Sequence, residues 1–493
     1  MEIVTDARPR QHVIEPGNLG ALKLLRAAAV FLFCGGAARL PAQYDKVAAL
    51  GSDSSITPIG GPASAPPTEA SPYGLPDFRP TGRLNDHLPK WLQFGLEERL
   101  RWEGFANGGF KPSNNDSYLL NRFRLGTFIQ PASWIRIVAQ VQDARPFFEA
   151  PPIGPPNESR WDLKLAYAQF GDPETQPFSV RVGRQEIDYN STMLANSEWR
   201  NQGRSYDGVV ANVHVDRLRL GIVAASVVNP LDQGVSHHQE GNNIYGLYGG
   251  IDRVLPNSAI EPFLLWRVAP RVGVEDSGVK TGRLDEKAYG VRVRGKGISN
   301  LDYRFELVEE RGLAGPNHIS AWAATLGAGY RISAMRWRPR VFAGYDYASG
   351  DKNPKDGIRN TFDTMYPTAH DRFGITDQFG WQNIIAGRAG VTFEPHPRWS
   401  VTGQYLDFWL ASATDAVYNT SGGAIARDAT GRSGTHVGRE VDFYTWYEVN
   451  REVHVGVGLG HLLPGEFLAH VTKGARYTYP YFAIELLDGK RVH

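Results

Sequence analysis

Residues 288–296, AYGVRVRGK, set the tightest constraint on what this chain can fold into. Tyr289, Val291 and Val293 fall on one parity, and Arg292, Arg294 and Lys296 on the other. An extended strand sends successive side chains to opposite faces, so this segment has one apolar face and one cationic face. The pattern recurs. Leu92, Phe94, Leu96, Leu100 and Trp102 alternate with Gln93, Glu97, Arg99 and Arg101, and Ile135, Ile137, Ala139 and Val141 with Arg136, Gln140 and Gln142. In a soluble sandwich the apolar face is the core and the polar face is wet. In a membrane barrel the faces invert: lipid meets the apolar side and a watery lumen meets the charges.

Bulk properties favour the inverted arrangement. The chain has 493 residues, longer than one ordinary soluble domain but suited to one large barrel. After the N-terminal leader no stretch approaches the ~20 apolar residues of a spanning helix, which leaves strands as the means of crossing. The 12 Trp and 21 Tyr are enough for two interfacial girdles. Trp91, Trp102, Trp134, Trp161, Trp337, Trp381, Trp399 and Trp409 all sit near expected strand ends. Net charge is only +1, so any basic character must come from segregation of charge.

Lys23 and Arg26 precede an apolar run over 27–36, and Leu40-Pro41-Ala42 supplies a small residue before Gln43, which predicts a secretory signal peptide over 1–42. The single cysteine, Cys34, falls in this leader and is expected to be removed with it. Residues 43–88 are rich in Pro, Ser and Ala without a period and are expected to be a disordered periplasmic segment. The barrel domain is expected over 89–493.

About eighteen short alternating segments follow between residues 90 and 487, and no amphipathic helix is evident among them. The joints alternate in length. Those at 130–132, 215–216, 395–397 and 450–451 are tight, whereas 104–116, 146–159, 188–206, 230–240, 349–380 and 412–436 are long and polar. Tight turns on one rim and long loops on the other mark an outer-membrane barrel. The predicted fold is all-β: one antiparallel outer-membrane barrel of about eighteen strands, with short periplasmic turns and long extracellular loops.

Sorting charges by parity gives the candidate site. Arg99, Arg101, Arg122, Arg124, Arg136, Arg181, Arg292, Arg294, Lys296 and Arg304 lie opposite the aliphatic residues. Fewer acids share that side: Glu97, Glu103, Glu306, Asp346 and Asp442. A wall with an excess of one sign concentrates the opposite ion, and guanidinium forks bind carboxylates with two hydrogen bonds. These residues are expected to line a passage for an anionic solute. The competing reading is a set of interstrand ion pairs that fills the barrel.

Other constellations are weaker. Asp351, Asn353, Asp356 and Gly357 have a calcium-loop look, but no distal glutamate follows and two lysines intervene, which favours a solvated turn. His237 and His238 have no third ligand nearby in sequence. No Gly-x-Ser-x-Gly motif occurs, and no basic helix or aromatic-basic platform points to nucleic acid. No catalytic residue, metal or cofactor is expected.

Several ordered segments resemble the bacterial alginate-export family: VRVGRQEIDYNSTMLANSEWRNQGRSYDGV (180–209), GYDYASGDKNPKDG (344–357), GWQNI (380–384), HVGREVDF (436–443) and VGLGHLLPGEFL (457–468). The resemblance covers roughly 90–487. It implies an eighteen-stranded, monomeric outer-membrane barrel with an arginine-rich constriction. The implied substrate is an anionic polysaccharide such as alginate, or related uronate oligomers. Outer-membrane lipid and periplasmic export proteins are the implied partners. By motif it adds Arg184 and Glu440 to the lining set. Arg184 falls on the apolar parity of its strand, which points to a rim, loop base or bulge. The final strand is expected over 479–486, with a short tail after it. The loops 188–206 and 349–380 are candidates to fold inward or cap the mouth. Three rivals stay open: a general or small-carbohydrate porin, a barrel-borne hydrolase, and a soluble secreted β-protein.

Overall fold

The structure, a computed structural model, describes residues 80–489 apart from 151–156, 174, 190–191, 255–256, 274–280, 299, 368–369 and 371. The expected leader over 1–42, and 43–79 of the segment after it, lie outside the described residues.

Helix α1 (Pro80–His87) precedes β1 (Leu92–Phe105), β2 (Asp116–Ala132), β3 (Ile135–Phe147) and β4 (Ser159–Phe170). Next come β5 (Phe178–Gln185), β6 (Tyr206–Val215), β7 (Leu218–Asn229), β8 (His237–Asp252) and β9 (Ser258–Gly273). They are followed by β10 (Thr281–Ile298), β11 (Leu301–Ala314), β12 (Asn317–Arg331), β13 (Arg340–Ala348) and the two-residue β14 (Ile358–Arg359). Two further wall strands, β15 (Ile384–His396) and β16 (Trp399–Trp409), lead to a small hairpin of β17 (Ala416–Tyr418) and β18 (Ala424–Arg427). The chain closes with β19 (His436–Glu448), β20 (Val453–Pro464), helix α2 (Glu466–Val471) and β21 (Tyr477–Gly489).

Eighteen of these strands form one closed antiparallel barrel. Each pairs with the next wall strand, and β21 returns to β1 in a register running from Gly95↔Gly489 to Glu103↔Tyr481. Closure leaves no unpaired wall edge, as a bilayer requires, because no water is available there to satisfy backbone groups. β14 and the β17–β18 hairpin belong to the long loops. β14 pairs in parallel with the wall strand β12 (His318↔Ile358 and Ile319↔Arg359).

The alternation sorts side chains as a membrane barrel demands. Leu247, Val441, Phe443 and Leu459 project outward and are exposed, while their sequence neighbours turn inward and are buried. Trp134, Trp337 and Trp399 ring the short-turn rim, and Trp161, Trp266 and Trp322 the other. Trp381 belongs to neither girdle. It is buried inside, edge-on to Phe362 at 5.2 Å.

That burial reflects the second feature of the fold: the long loops turn into the barrel. Met193, Leu194, Phe362, Phe373, Ile375 and Phe379 from the loops pack against wall residues such as Val223, Leu265, Ala323, Leu406 and Phe408. The loop segments pair with each other, Ala195 N donating to Tyr366 O (3.0 Å) and Tyr366 N to Met193 O (3.1 Å). The loop carrying β17 and β18 packs on them, with Gly380 N donating to Tyr418 O (2.9 Å) and Asp351 N to the Asp415 carboxylate (2.8 Å). The stretch resembling a calcium loop is a series of Asx turns: Asp351 accepts from Asn353 N (2.9 Å) and Asp356 from Ile358 N (2.8 Å).

Two expectations at the ends of the domain need correction. Residues 80–87 are helical, although they fall in the segment read as disordered. The Asp488 carboxylate accepts from Thr81 N (2.6 Å), Thr81 Oγ1 (2.5 Å) and Gly82 N (3.2 Å), satisfying the orphan donors of the first turn. Asn85 exchanges two hydrogen bonds with the Phe94 backbone (2.7 and 2.8 Å), as a neighbouring strand would. These contacts also explain why the last strand runs on to Gly489 instead of ending near 486.

Candidate functional site: an arginine wall and the loop seated on it

β1 and β2 pair with Arg99 opposite Arg122 and Glu97 opposite Arg124. Odd positions of β1 and even positions of β2 share the interior face, so Arg99, Arg101, Arg122 and Arg124 come together, each 2–4% exposed. Four adjacent guanidinium groups repel unless acids lie between them. Glu97 binds Arg122 and reaches Arg124 at 3.4 Å, and Glu103 takes Arg101 Nε at 2.5 Å. Tyr118 donates its hydroxyl hydrogen to Glu103 (2.9 Å).

The remaining donors point at the loop between β5 and β6. Arg99 donates to the carbonyls of Glu198 (2.8 Å), Trp199 (3.2 Å) and Arg200 (3.0 Å), Arg101 to Trp199 O (2.6 Å), and Arg122 to Glu198 O (3.0 Å). The Glu198 carboxylate lies 2.7 Å from Arg124, 3.1 Å from Arg122 and 3.7 Å from Lys164. Burial by itself raises the Glu198 carboxyl, but Arg124, Arg122 and Lys164 hold it well below the usual range. Its neighbour Glu186, paired with Lys164 at 2.9 Å, is pushed up by burial, and the charge of Glu198 adds to the rise. Gly203 makes the seat possible. Its φ is +66°, and a Cβ there would stand 2.3 Å from Glu198 Oε1 and 2.8 Å from Lys164 Nζ. The Trp199 ring lies under the Arg101 guanidinium (3.9 Å), and it stacks on His370 of the 349–383 loop at 3.7 Å and 5°.

The opposite wall is acidic. Glu306 accepts from Thr192 Oγ1 (2.6 Å), Glu440 from Thr376 Oγ1 (2.6 Å), and Asp442 from Ile375 N (3.2 Å) and Gln404 (2.8 Å). Arg372 meets Asp346 at 3.2 Å and Thr325 at 2.7 Å. Here burial acts on the loop acid Asp363 too, but Arg267 (3.1 Å) and Arg359 (3.5 Å) keep its carboxyl low.

The other sequence candidates scatter around this frame. Arg292 (2.7 Å) and Arg294 (2.8 Å) converge on Glu261 with Arg219 (2.8 Å). Arg181 lies over the Tyr167 ring at 5.2 Å, and Arg136 is half-buried on the interior face of β3. Lys296 and Arg304 lie near the short-turn ends of β10 and β11. Arg184 is not part of the interior set: it shares the outward parity at the long-loop rim, bound to Asp207 (2.8 Å) and to Ser236 O (2.7 Å).

Sequence reasoning missed three contributors. Lys164 is the extra residue of a β-bulge, where Gln140 pairs with Leu165 and Val141 with Leu163, so parity counting skips it. Glu186 and Glu198 lie in a loop, where no period assigns a face. For Glu198 the available signal was its place inside an arginine-flanked loop, EWRNQGR.

A family model for alginate export matches residues 90–480. The chain belongs to the alginate export family. Among solved structures it is similar to OccK3 (OpdO) of Pseudomonas aeruginosa, with a TM-score of 0.55 and 11% identity over 82% of this chain and 98% of that one. OccAB4 of Acinetobacter baumannii gives 0.53 and 11% over 80% and 98%. The Pseudomonas aeruginosa OpdK structure with vanillate gives 0.53 and 9% over 80% and 99%. No curated protein matches the sequence. At such identities the structural likeness is one of fold. Family and fold together make this member of the alginate export family a β-barrel channel of the bacterial outer membrane.

Proposed function

We propose that the channel passes an anionic polysaccharide, alginate or a related uronate polymer or oligomer, along an arginine-lined path. The lining consists of Arg99, Arg101, Arg122 and Arg124, continued by Arg136 and Arg181 and by the short-turn-end cations Arg292, Arg294, Lys296 and Arg304. One observation carries the reading: the guanidinium groups of β1 and β2 are all directed at oxygen atoms of a loop, four carbonyls and one carboxylate. A uronate chain presents the same atom types, carboxylates and hydroxyls. Acids between the arginines keep any one binding step weak enough for release, as conduction requires. The long loops then face outside, periplasmic export proteins meet the short-turn rim, and the barrel acts as a monomer.

The test is conductance in a planar bilayer under a salt gradient, with polymannuronate then added. An anion-selective reversal potential, block by the polymer, and loss of both in R122Q/R124Q are expected. Conductance without ion preference and without block would overturn the substrate assignment and leave a general porin.

A further inference from the structure

The strands alone leave the arginine wall unbalanced. Arg99, Arg101, Arg122, Arg124 and Lys164 face three wall acids, Glu97, Glu103 and Glu485, and the loop supplies the two that complete the count, Glu186 and Glu198. Glu198 binds the wall with a carboxylate and its own carbonyl, and the carbonyls of Trp199 and Arg200 extend the contact. This footprint is one anionic group flanked by neutral oxygens.

We infer that Glu198 is an internal competitor for the substrate: it occupies the guanidinium sites a uronate carboxylate takes, and polymer enters by replacing the 192–205 segment on the wall. The inference rests on the anionic-polysaccharide reading. A tethered carboxylate competes at an effective concentration in the millimolar range, so only a ligand offering several carboxylates in succession displaces it. Glu198 thereby favours polymers over single small anions. Because Trp199 stacks on His370, releasing residues 198–200 also frees one contact of the 349–383 loop.

E198Q keeps the shape of the side chain and removes its charge. In bilayers containing the folded barrel, verified by its heat-shifted electrophoretic mobility, the polymannuronate concentration for half-block is expected to fall on the order of tenfold relative to wild type. In an R124Q background, where Arg122 and Lys164 alone still hold the residue 198 carboxylate, the same change should bring a smaller gain. G203A, which unseats Glu198 sterically without altering charge, should act in the same direction as E198Q and serves if that variant fails to fold. Equal half-block in wild type, E198Q and G203A would overturn the competitor role while leaving the polysaccharide reading intact. Absence of block in all three would overturn that reading, and the competitor role with it.

Discussion

The two sides of the barrel interior hold the inward loops by opposite charges. On β1–β4 the wall supplies the cations and the loop supplies oxygens, chiefly Glu198 and three carbonyls. On β13–β19 the wall supplies acids, Asp346, Glu440 and Asp442, and the 349–383 loop supplies donors, Arg372, Thr376 and the Ile375 amide. An anionic polymer competes for the first kind of contact and is repelled by the second. The difference separates a displaceable loop from an anchored one, although both pack into the same apolar interior.

The largest expected effect reverses one side of that comparison. Glu198→Arg sets a further cation against Arg122, Arg124 and Lys164, all buried. Buried like charges cannot stay in contact, so the 192–205 segment should leave the wall and open-channel conductance should rise several-fold. The mirror change, Arg372→Glu against Asp346, should loosen the other loop with a smaller gain, because Thr376 and the Ile375 amide still hold it. Equal gains in bilayer recordings would erase the distinction between the two sides.

Gly374→Ala probes the anchored side alone. Its φ is +87°, and a Cβ there would come within 2.0 Å of Glu440 Oε1. The left-handed conformation alone costs a non-glycine residue about 1–2 kcal/mol, which corresponds to roughly 5–30-fold faster amide exchange over residues 372–380. Polyuronate block should hardly change. A shift in block as large as that of E198Q would mean that both loops gate.

How much of this was legible beforehand follows from where a period exists. Side chains alternating in the wall gave the barrel, the closed-sheet expectation and the face of Arg99, Arg101, Arg122 and Arg124. Parity assigns a face but no height, so it did not separate the acids near the long-loop rim (Asp346, Glu440) from Arg292, Arg294 and Lys296 nearer the short turns. A bulge hid Lys164, and rim geometry removed Arg184 from the interior. Trp381 was grouped with the girdles because a strand end and a buried loop look alike without the tertiary context. Helix α1 is only eight residues long and has a polar composition, and its order comes from Asp488 and Asn85 contacts that span the chain.

Acidity should act on the displaceable side in two stages. Burial raises the Glu186 carboxyl, so the closed state takes up its proton above the ordinary value near 4.5. The closed form then binds more protons than the open one, and closure strengthens as pH falls from 7 toward 5. Glu198 is the opposite case. Its lowered carboxyl keeps its contribution above the ordinary value and gives it up only well below 4.5. Opening frequency in bilayers should therefore decline modestly from pH 7 to 5, and E186Q should flatten that decline. A rise over the same interval would show that Glu198 protonates early and is not held by the arginines.

The smallest effect tests whether the two sides communicate. Trp199 is the ring between the Arg101 guanidinium (3.9 Å) and His370 (3.7 Å), and it is a direct side-chain link from the displaceable loop to the anchored one. Trp199→Leu keeps an apolar side chain and the backbone carbonyl that accepts from Arg101, so the seat of Glu198 persists. What disappears is a cation–π contact and an aromatic stack, together about 1–2 kcal/mol. If the stack couples the loops, amide exchange should quicken in the described residues around 372–379 as well as in 192–205, by roughly 5–30-fold in each. If exchange quickens only in 192–205, the Trp199–His370 stack does not couple the loops, and their link runs through the Ala195–Tyr366 and Tyr366–Met193 backbone pairs.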